Sequence, residues 1–509
     1  MVLSASSVSS SRNTPTFEFP ECYGPFAVGL KVVEQYDHSR SFGYRGDRRG
    51  RLADSEQARP LQTLLWYPAE RTDGQAMKVG DYAALWASET NFGQTQLPSR
   101  AHEWLGGIGS MVTATLKAVR DAPPVVARFP AIVYAPGFSN PSWENADLCE
   151  YLASQGYLVL ATPSMGEKSR DMTLNVAGLS AQARDISFLV GYAASLANAD
   201  SSRVGVVGFS WGGLANVFAA ARDSRIGALV SLDGSLRFSP GLLQTVDDVY
   251  PEQMTIPLLS IVQGQWTPED QAAYLEQNPS HAGPSVMNAW KHGDLVTLYM
   301  LGLSHMEHSS MYQRNEEVWW KLLNVWGQKK PDYGREDGIK GYGWMARYSL
   351  AFLNAYLKQD AAEMTFLRRP PGENGVPRHQ MVKSFRKASG VPTSLEGFRT
   401  EVARLGFDRV AEVYERFRMR KAEFTLQEHE LVSWSQDLQD SGAPSDAIAI
   451  LRFNVQLHSE STEAYLSLGN AYRNFGQLDL AVEGYRRAFE KDPANADAMW
   501  RLREVGACG

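Results

Sequence analysis

Ser210 stands in the segment Gly208-Phe209-Ser210-Trp211-Gly212, a Gly-x-Ser-x-Gly arrangement. A serine so placed attacks a carbonyl carbon when a histidine takes its proton and a carboxylate orients the histidine, which is nucleophilic acyl-transfer chemistry. The motif alone is weak: in a chain of 509 residues with 43 glycines, chance supplies on the order of 0.3 matches. Its neighbours carry the reading. The β-branched run Arg203-Val204-Gly205-Val206-Val207 precedes it, and the small-residue stretch from Gly212 to Ala221, helical in period, follows it. Strand, sharp turn and helix are what a nucleophile elbow requires, with small residues at 208 and 212 where helix and strand pass close together. At the start of that helix the Trp211 amide can point at an oxygen that becomes negative. The bland alternative is a glycine-rich turn with an inert serine. A second donor is expected in the loop after the strand Ala131-Tyr134, where Ala135-Pro136-Gly137-Phe138 makes the Phe138 amide the natural choice and a plain Pro-Gly turn the alternative.

The base and the acid should follow the serine in the order acid, then histidine. Of nine histidines, His281, His292, His305 and His308 lie between Ser210 and the end of the sheet-forming region. His305 is preferred because the apolar run Leu295-Leu301 and then Gly302 put it on a loop just past a strand, with His308 as runner-up. For the acid, Asp233 directly ends the run Ile226-Leu232, the strand after the nucleophile's, and is favoured over Asp270, which follows the run Leu258-Val262. An aspartate before Gly234 is also a common turn pairing.

The elements that position these residues can be read from apolar runs bounded by turn residues. Strands are expected at Leu61-Tyr67, Ala131-Tyr134, Leu158-Ala161, Val204-Val207, Ala228-Leu232, Leu258-Val262 and Leu295-Leu301. Helical period at Ala181-Ala197 supplies a crossover between the third and fourth of these, and Tyr342-Leu357 a closing helix. Alternating strands and helices predict a mostly parallel sheet flanked by helices. Residues 1–20, polar and Ser-rich, are expected to be disordered, with structure starting near Phe26. The breaker cluster Arg368-Arg369-Pro370-Pro371-Gly372 ends the catalytic domain, assigned to 21–365. A helical linker at 366–425 opens with a capping box of Thr393 and Glu396, and residues 426–509 form a repeat region.

In that last region, counting from Thr462, the residues Tyr465, Leu468, Gly469, Tyr472, Gly476, Ala481, Tyr485, Ala488 and Pro493 fill the positions of a tetratricopeptide repeat. A more degenerate copy contains Leu431, Trp434, Leu438, Gly442, Ala447 and Leu451, with Gly442 and Gly476 standing 34 residues apart, one repeat length. Met499 and Leu502 suggest a capping helix. Two repeats cannot bury their apolar faces alone, so the helices at 393–425 are the nearest packing partner. A protein-binding surface and a structural or self-association arm stand level as their role.

Composition narrows the partners. A net charge of -7 argues against nucleic acid, which needs a basic face. Three scattered cysteines, Cys22, Cys149 and Cys508, exclude a disulfide framework. The sequence contains neither a stretch long and apolar enough to span a membrane nor the features of a signal peptide at its start, and a signal already removed would leave the same picture, so the compartment stays open.

At the site residues the region Leu61 to Asp360 resembles the platelet-activating-factor acetylhydrolase and dienelactone-hydrolase-like branch of the α/β-hydrolases. The matching stretches are Trp66-Tyr67-Pro68-Ala69, Tyr151-Leu152-Ala153-Ser154-Gln155-Gly156-Tyr157, Gly208-Phe209-Ser210-Trp211-Gly212-Gly213, Ser231-Leu232-Asp233-Gly234 and Phe352-Leu353-Asn354-Ala355-Tyr356-Leu357-Lys358. The resemblance implies an α/β-hydrolase fold followed by an all-α tetratricopeptide-repeat region. It places the acid after the strand that follows the nucleophile's, at Asp233, and aligns Gly137-Phe138 with the oxyanion loop. Dienelactone hydrolases proper use a cysteine, so Ser210 points away from their activity, and Pro136 stands where the acetylhydrolase loop carries histidine. The expected function is cleavage of a small-molecule carboxylic ester through an acyl-enzyme on Ser210, with Asp233 and His305 completing the set, Phe138 and Trp211 as oxyanion donors, and no metal or organic cofactor. Alternatives are a peptidase or amidase with the same triad, and an inactive scaffold whose repeats recruit a protein. Segments 236–256 and 266–294 are expected to cover the pocket, with Phe138, Trp143, Trp211, Trp266 and Trp290 as candidate aromatic lining.

Overall fold

The structure is a computed structural model that describes residues 16–43, 57–237, 240–243, 246–264, 275–279, 285–315 and 332–505. Two compact units divide the chain, residues 1–388 and 389–509.

Among the described residues the first unit carries eleven strands in one sheet: β1 Ala27–Phe42, β2 Gln57–Ala69, β3 Ala76–Lys78, β4 Thr115–Arg120, β5 Phe129–Ala135, β6 Leu158–Ala161, β7 Ala199–Phe209, β8 Ile226–Leu232, β9 Leu258–Gln263, β10 Leu295–Met300 and β11 Met381–Arg386. Their order across the sheet is β11-β10-β9-β8-β7-β5-β6-β2-β1-β4-β3. The central run from β10 to β6 is parallel, and β11, β2 and β1 join antiparallel. Six of the seven expected strands fall inside observed ones, and the seventh, Leu295-Leu301, overruns β10 by one residue.

Successive side chains of a strand face opposite sides, and the parallel strands, apolar on both, feed two cores. Ile132 and Tyr134 of β5 join Val207, Val230 and Ile261 in one; Ala131 and Val133 join Val206, Leu229 and Leu258 in the other. Helices Ala146–Ser154 and Arg335–Leu357 cover the first core, and helices Val176–Ser195 and Trp211–Arg222 the second. Burial on both faces is why these strands read as continuous apolar runs.

Four expectations need correction, three of them in how the sheet unit and the next helix begin and end. The sheet does not end before 365, because β11 pairs with β10 from Leu295↔Arg386 to Met300↔Met381 and the first unit continues to Ala388. This edge strand is half-buried, alternating from buried Met381 to exposed Val382, so it lacks the apolar run that marks a central strand. Residues 16–20 are not loose: Phe17 is 1% exposed, meets the Tyr342 ring edge-on at 5.3 Å and lies under the Arg314 guanidinium at 5.1 Å. Partners more than 290 residues away leave no trace in a Ser-rich neighbourhood. Finally, the cap of helix Leu395–Leu405 is Ser394, whose Oγ accepts the Gly397 amide at 3.2 Å, not Thr393.

The second unit is all-helical among its described residues, apart from short turns. Helices Leu395–Leu405 and Val410–Arg420 are not a linker. Phe398, Val402, Val413 and Phe417 share one core with Leu431, Trp434, Ile450 and Phe453 of the next two helices, Glu428–Asp440 and Pro444–Leu457. The following pair, Thr462–Asn474 and Leu478–Lys491, closes tightly where Gly469 faces Gly484 and the Tyr485 ring. Gly442 and Gly476 take φ of 79° and 74° at the equivalent turns, a conformation open to glycine at little cost.

Candidate active site

β7 ends at Phe209 and the helix Trp211–Arg222 starts one residue after Ser210, which is left at φ 53°, ψ -119°. A non-glycine residue holds such a backbone only when its surroundings impose it. Here the Ser210 amide donates to Leu232 O at 3.0 Å and its carbonyl accepts from Gly213 N at 3.0 Å and Ser235 N at 3.2 Å. A Cβ on Gly212 would overlap Ala135 O, and one on Gly208 would overlap the Gly212 backbone, so neither contact can yield by rotating a side chain. Gly212→Ala is therefore expected to lower unfolding free energy by about 1–3 kcal/mol through overpacking and to displace the serine; thermal unfolding and turnover measured together check it.

β8, paired with β7 in parallel, ends at Leu232 and leaves Asp233 at φ 42° on the same edge of the sheet. Its amide donates to Ile261 O at 2.6 Å, while Oδ1 accepts the Gln263 amide at 2.9 Å and Oδ2 lies 2.6 Å from His305 Nδ1. The other nitrogen of that ring, Nε2, is 3.0 Å from Ser210 Oγ. Burial works to raise the Asp233 pKa, but the His305 hydrogen bond and charge, then His308 and the Gln263 amide, outweigh it and hold the carboxyl below its ordinary value. The structure thus joins Ser210, His305 and Asp233, residues 95 and 72 positions apart, through one imidazole.

His305 is held from behind. Its amide donates to Gln263 Oε1 at 3.1 Å, and its ring lies 5.0 Å from that of Phe209. The loop that carries it is tied by Glu307, whose Oε2 accepts the Ser304 amide and hydroxyl, both at 2.8 Å, and whose carbonyl accepts Gln313 Nε2 at 2.9 Å. His308 is buried, with Nδ1 facing Ser304 O at 3.0 Å and His305 O at 3.2 Å, and burial pushes its pKa down. It contacts backbone and not the serine. Asp270, His281 and Trp266 lie outside the described residues.

Phe138 occupies the loop after β5, and its ring meets that of Trp211 at 6.1 Å and 81°, so the two expected oxyanion donors belong to segments in contact. Of the other expected pocket aromatics, Trp143 packs between Trp104 and Trp86 in the core, and Trp290 is buried with Nε1 donating to Ile256 O at 3.1 Å. Gln263, Glu307 and Glu144, which accepts the Gly137 amide under the Phe138 loop, escaped the sequence reading. Nothing local separates them from surface residues; only Gln263, directly after the run Leu258-Val262, stood where a signal could be sought.

No group of three or more His, Cys, Asp and Glu among the described residues could hold a metal ion, and no helix among them is long and apolar enough to cross a membrane.

The first unit has the α/β-hydrolase fold: a mostly parallel sheet flanked by helices, with a strand–elbow–helix at its centre. Residues 116–265 match the model of the dienelactone hydrolase family, a segment that contains Ser210 and Asp233 and stops before His305. No curated protein matches the sequence. Among similar solved structures is a ferulic acid esterase from Streptomyces cinnamoneus, 20% identical, with a TM-score of 0.47, covering 73% of this chain and 100% of its own.

Proposed function

We propose that the first unit is a serine hydrolase that cleaves carboxylic esters of small molecules through an acyl-enzyme on Ser210. The observation that carries the reading is the His305 ring, which lies within hydrogen-bond reach of Ser210 Oγ and of Asp233 Oδ2 at once.

With the Asp233 carboxylate accepting Nδ1–H, Nε2 is left unprotonated and can take the Ser210 proton as Oγ attacks the ester carbonyl carbon. The carbonyl electron pair moves onto oxygen, where the Phe138 and Trp211 amides stabilise it. As the C–O bond breaks, His305 returns the proton to the departing alcohol and the acyl group stays on Ser210. Water then gives a proton to His305 as its oxygen attacks the acyl carbon, and on collapse His305 passes that proton to Ser210 Oγ while the acid leaves.

A fluorophosphonate probe tests this, since it phosphonylates an activated serine. Wild-type protein is expected to be labelled at Ser210 and Ser210→Ala to be inert to the probe and to ester substrates. An unlabelled wild type, or labelling indifferent to Ser210→Ala, would sink the proposal. Comparing ester with amide turnover on the same preparation sets the esterase reading against a peptidase.

A further inference from the structure

A buried carboxylate next to the site has no part in the chemistry above. Glu144 is fully buried, and its Oε2 accepts the Gly137 amide at 2.8 Å and the Tyr134 hydroxyl at 3.0 Å, while Oε1 accepts Asn140 Nδ2. Gly137 and Asn140 bracket Phe138. Asn140 is itself fixed, its Oδ1 accepting the Tyr312 hydroxyl at 3.1 Å and its carbonyl accepting the Ser164 amide at 3.0 Å. The Asn140 amide donates to Gly137 O at 3.0 Å. In a planar trans peptide the next N–H points opposite to that carbonyl, so pinning Gly137 O also aims the Phe138 N–H. Two further carbonyls of the loop are taken up as well: Pro136 O by Gln182 Nε2 at 2.8 Å, and Ser139 O by Arg100 at 3.0 Å and Arg170 at 3.2 Å. Ser139 is held at φ 57°.

We infer that Glu144, as a carboxylate, is the positioning residue that keeps the Phe138 amide turned toward the oxyanion. This deepens the proposed reaction and rests on it. Three donors converge on Glu144, and the ionised form holds them most firmly, because a charged acceptor makes the stronger hydrogen bond and has no O–H of its own to place. Burial raises its pKa to about 7, against the lowering pull of Gly137, Tyr134, Asn140 and the Arg100 charge. Tyr134, Cys149 and Tyr312 are the other titratable groups that face it. Its protonation therefore falls near neutral pH, and Glu144 must lose that proton for full turnover.

Steady-state kinetics of Glu144→Gln beside wild type tests the inference. Glutamine keeps the shape but turns an N–H₂ toward one of the donors. The expected result is a fall in kcat of about 10- to 100-fold, less than removal of a whole oxyanion donor, with KM little changed. The acid limb of the pH profile should relax from steeper than one proton to a single proton. Tyr134→Phe, which removes one donor and leaves the carboxylate, should move the acid limb of kcat to higher pH, and it keeps the idea testable if the glutamine variant does not fold. Wild-type protein that captures no fluorophosphonate overturns the serine-hydrolase reading and this inference together. Capture by wild type, with kcat and the acid limb unchanged in Glu144→Gln or with no shift in Tyr134→Phe, overturns this inference alone.

Discussion

Replacing His305 by alanine is expected to lower ester turnover by about 10⁴-fold or more, with the thermal midpoint close to that of wild type. The size follows from the geometry. His305 is the only group within hydrogen-bond reach of Ser210 Oγ among the described contacts, and a hydroxyl without a base is a poor nucleophile at neutral pH. Members of such a unit fail together, so removing the base costs about as much as removing the nucleophile. Asp233→Asn should cost of the order of 10⁴-fold, because an amide at Oδ2 can no longer accept Nδ1–H and the ring is left in the wrong tautomer. His308→Ala separates the two histidines. Its ring is anchored to the Ser304 and His305 carbonyls, so its loss should lower stability by about 1–3 kcal/mol and turnover far less than His305→Ala does. A His308→Ala enzyme as inactive as His305→Ala, measured under conditions where both are folded, would reassign the base.

The second large effect concerns stability and pH. Burial raises Glu89 to about 6 and Glu144 and Glu150 to about 7, each from an ordinary carboxyl value of 4.5. A carboxyl with a raised folded-state pKa holds its proton in the native protein at pH values where the unfolded chain has lost it. The native state thus binds more protons, and stability must fall as pH rises. The contribution is fully present below about pH 4.5 and is lost as pH rises through 6 to 7, at about 1.4 kcal/mol per pH unit for each group while the difference lasts. His308 opposes it, since its lowered pKa makes the native state bind fewer protons below about pH 6.5, but one group stands against three. The thermal midpoint is therefore expected to drop between pH 5.5 and pH 7.5. Glu150→Gln, which keeps an acceptor for Tyr82, bonded to Oε1 at 2.6 Å, should flatten that drop. A midpoint that rises over the interval would contradict the argument.

The parts of this molecule that could be read ahead share one property: their meaning is local. Val204-Val207, Ser210 and the small residues after it announce strand, elbow and helix because each must be what it is for the neighbouring backbone to turn. Asp233 could be chosen because it ends an apolar run, and His305 because it follows one. Glu144 and Gln263 gain their meaning only from chain segments brought in by folding, Gly137 and Asn140 for one, Asp233 and His305 for the other. β1 and β11 were missed for a related reason. Their exposed faces carry residues such as Glu34, Ser384 and Arg386, so half of each strand obeys water and only half obeys the core. Phe17 shows the limit at its sharpest, a buried aromatic in a stretch whose composition says loop.

The antiparallel and parallel neighbours in the sheet also bear on how readily its specificity can be altered. Ser210 and Asp233 project from adjacent strands, β7 and β8, joined by one helix, and His305 reaches them from beyond β9. The stretch between Asp233 and β9 meets the nucleophile at its start, where the Ser235 amide donates to Ser210 O at 3.2 Å. A change of length later in that stretch is expected to leave Ser210 and Asp233 in place. For an engineer, and for natural variation alike, that stretch can be altered separately from the ability to react.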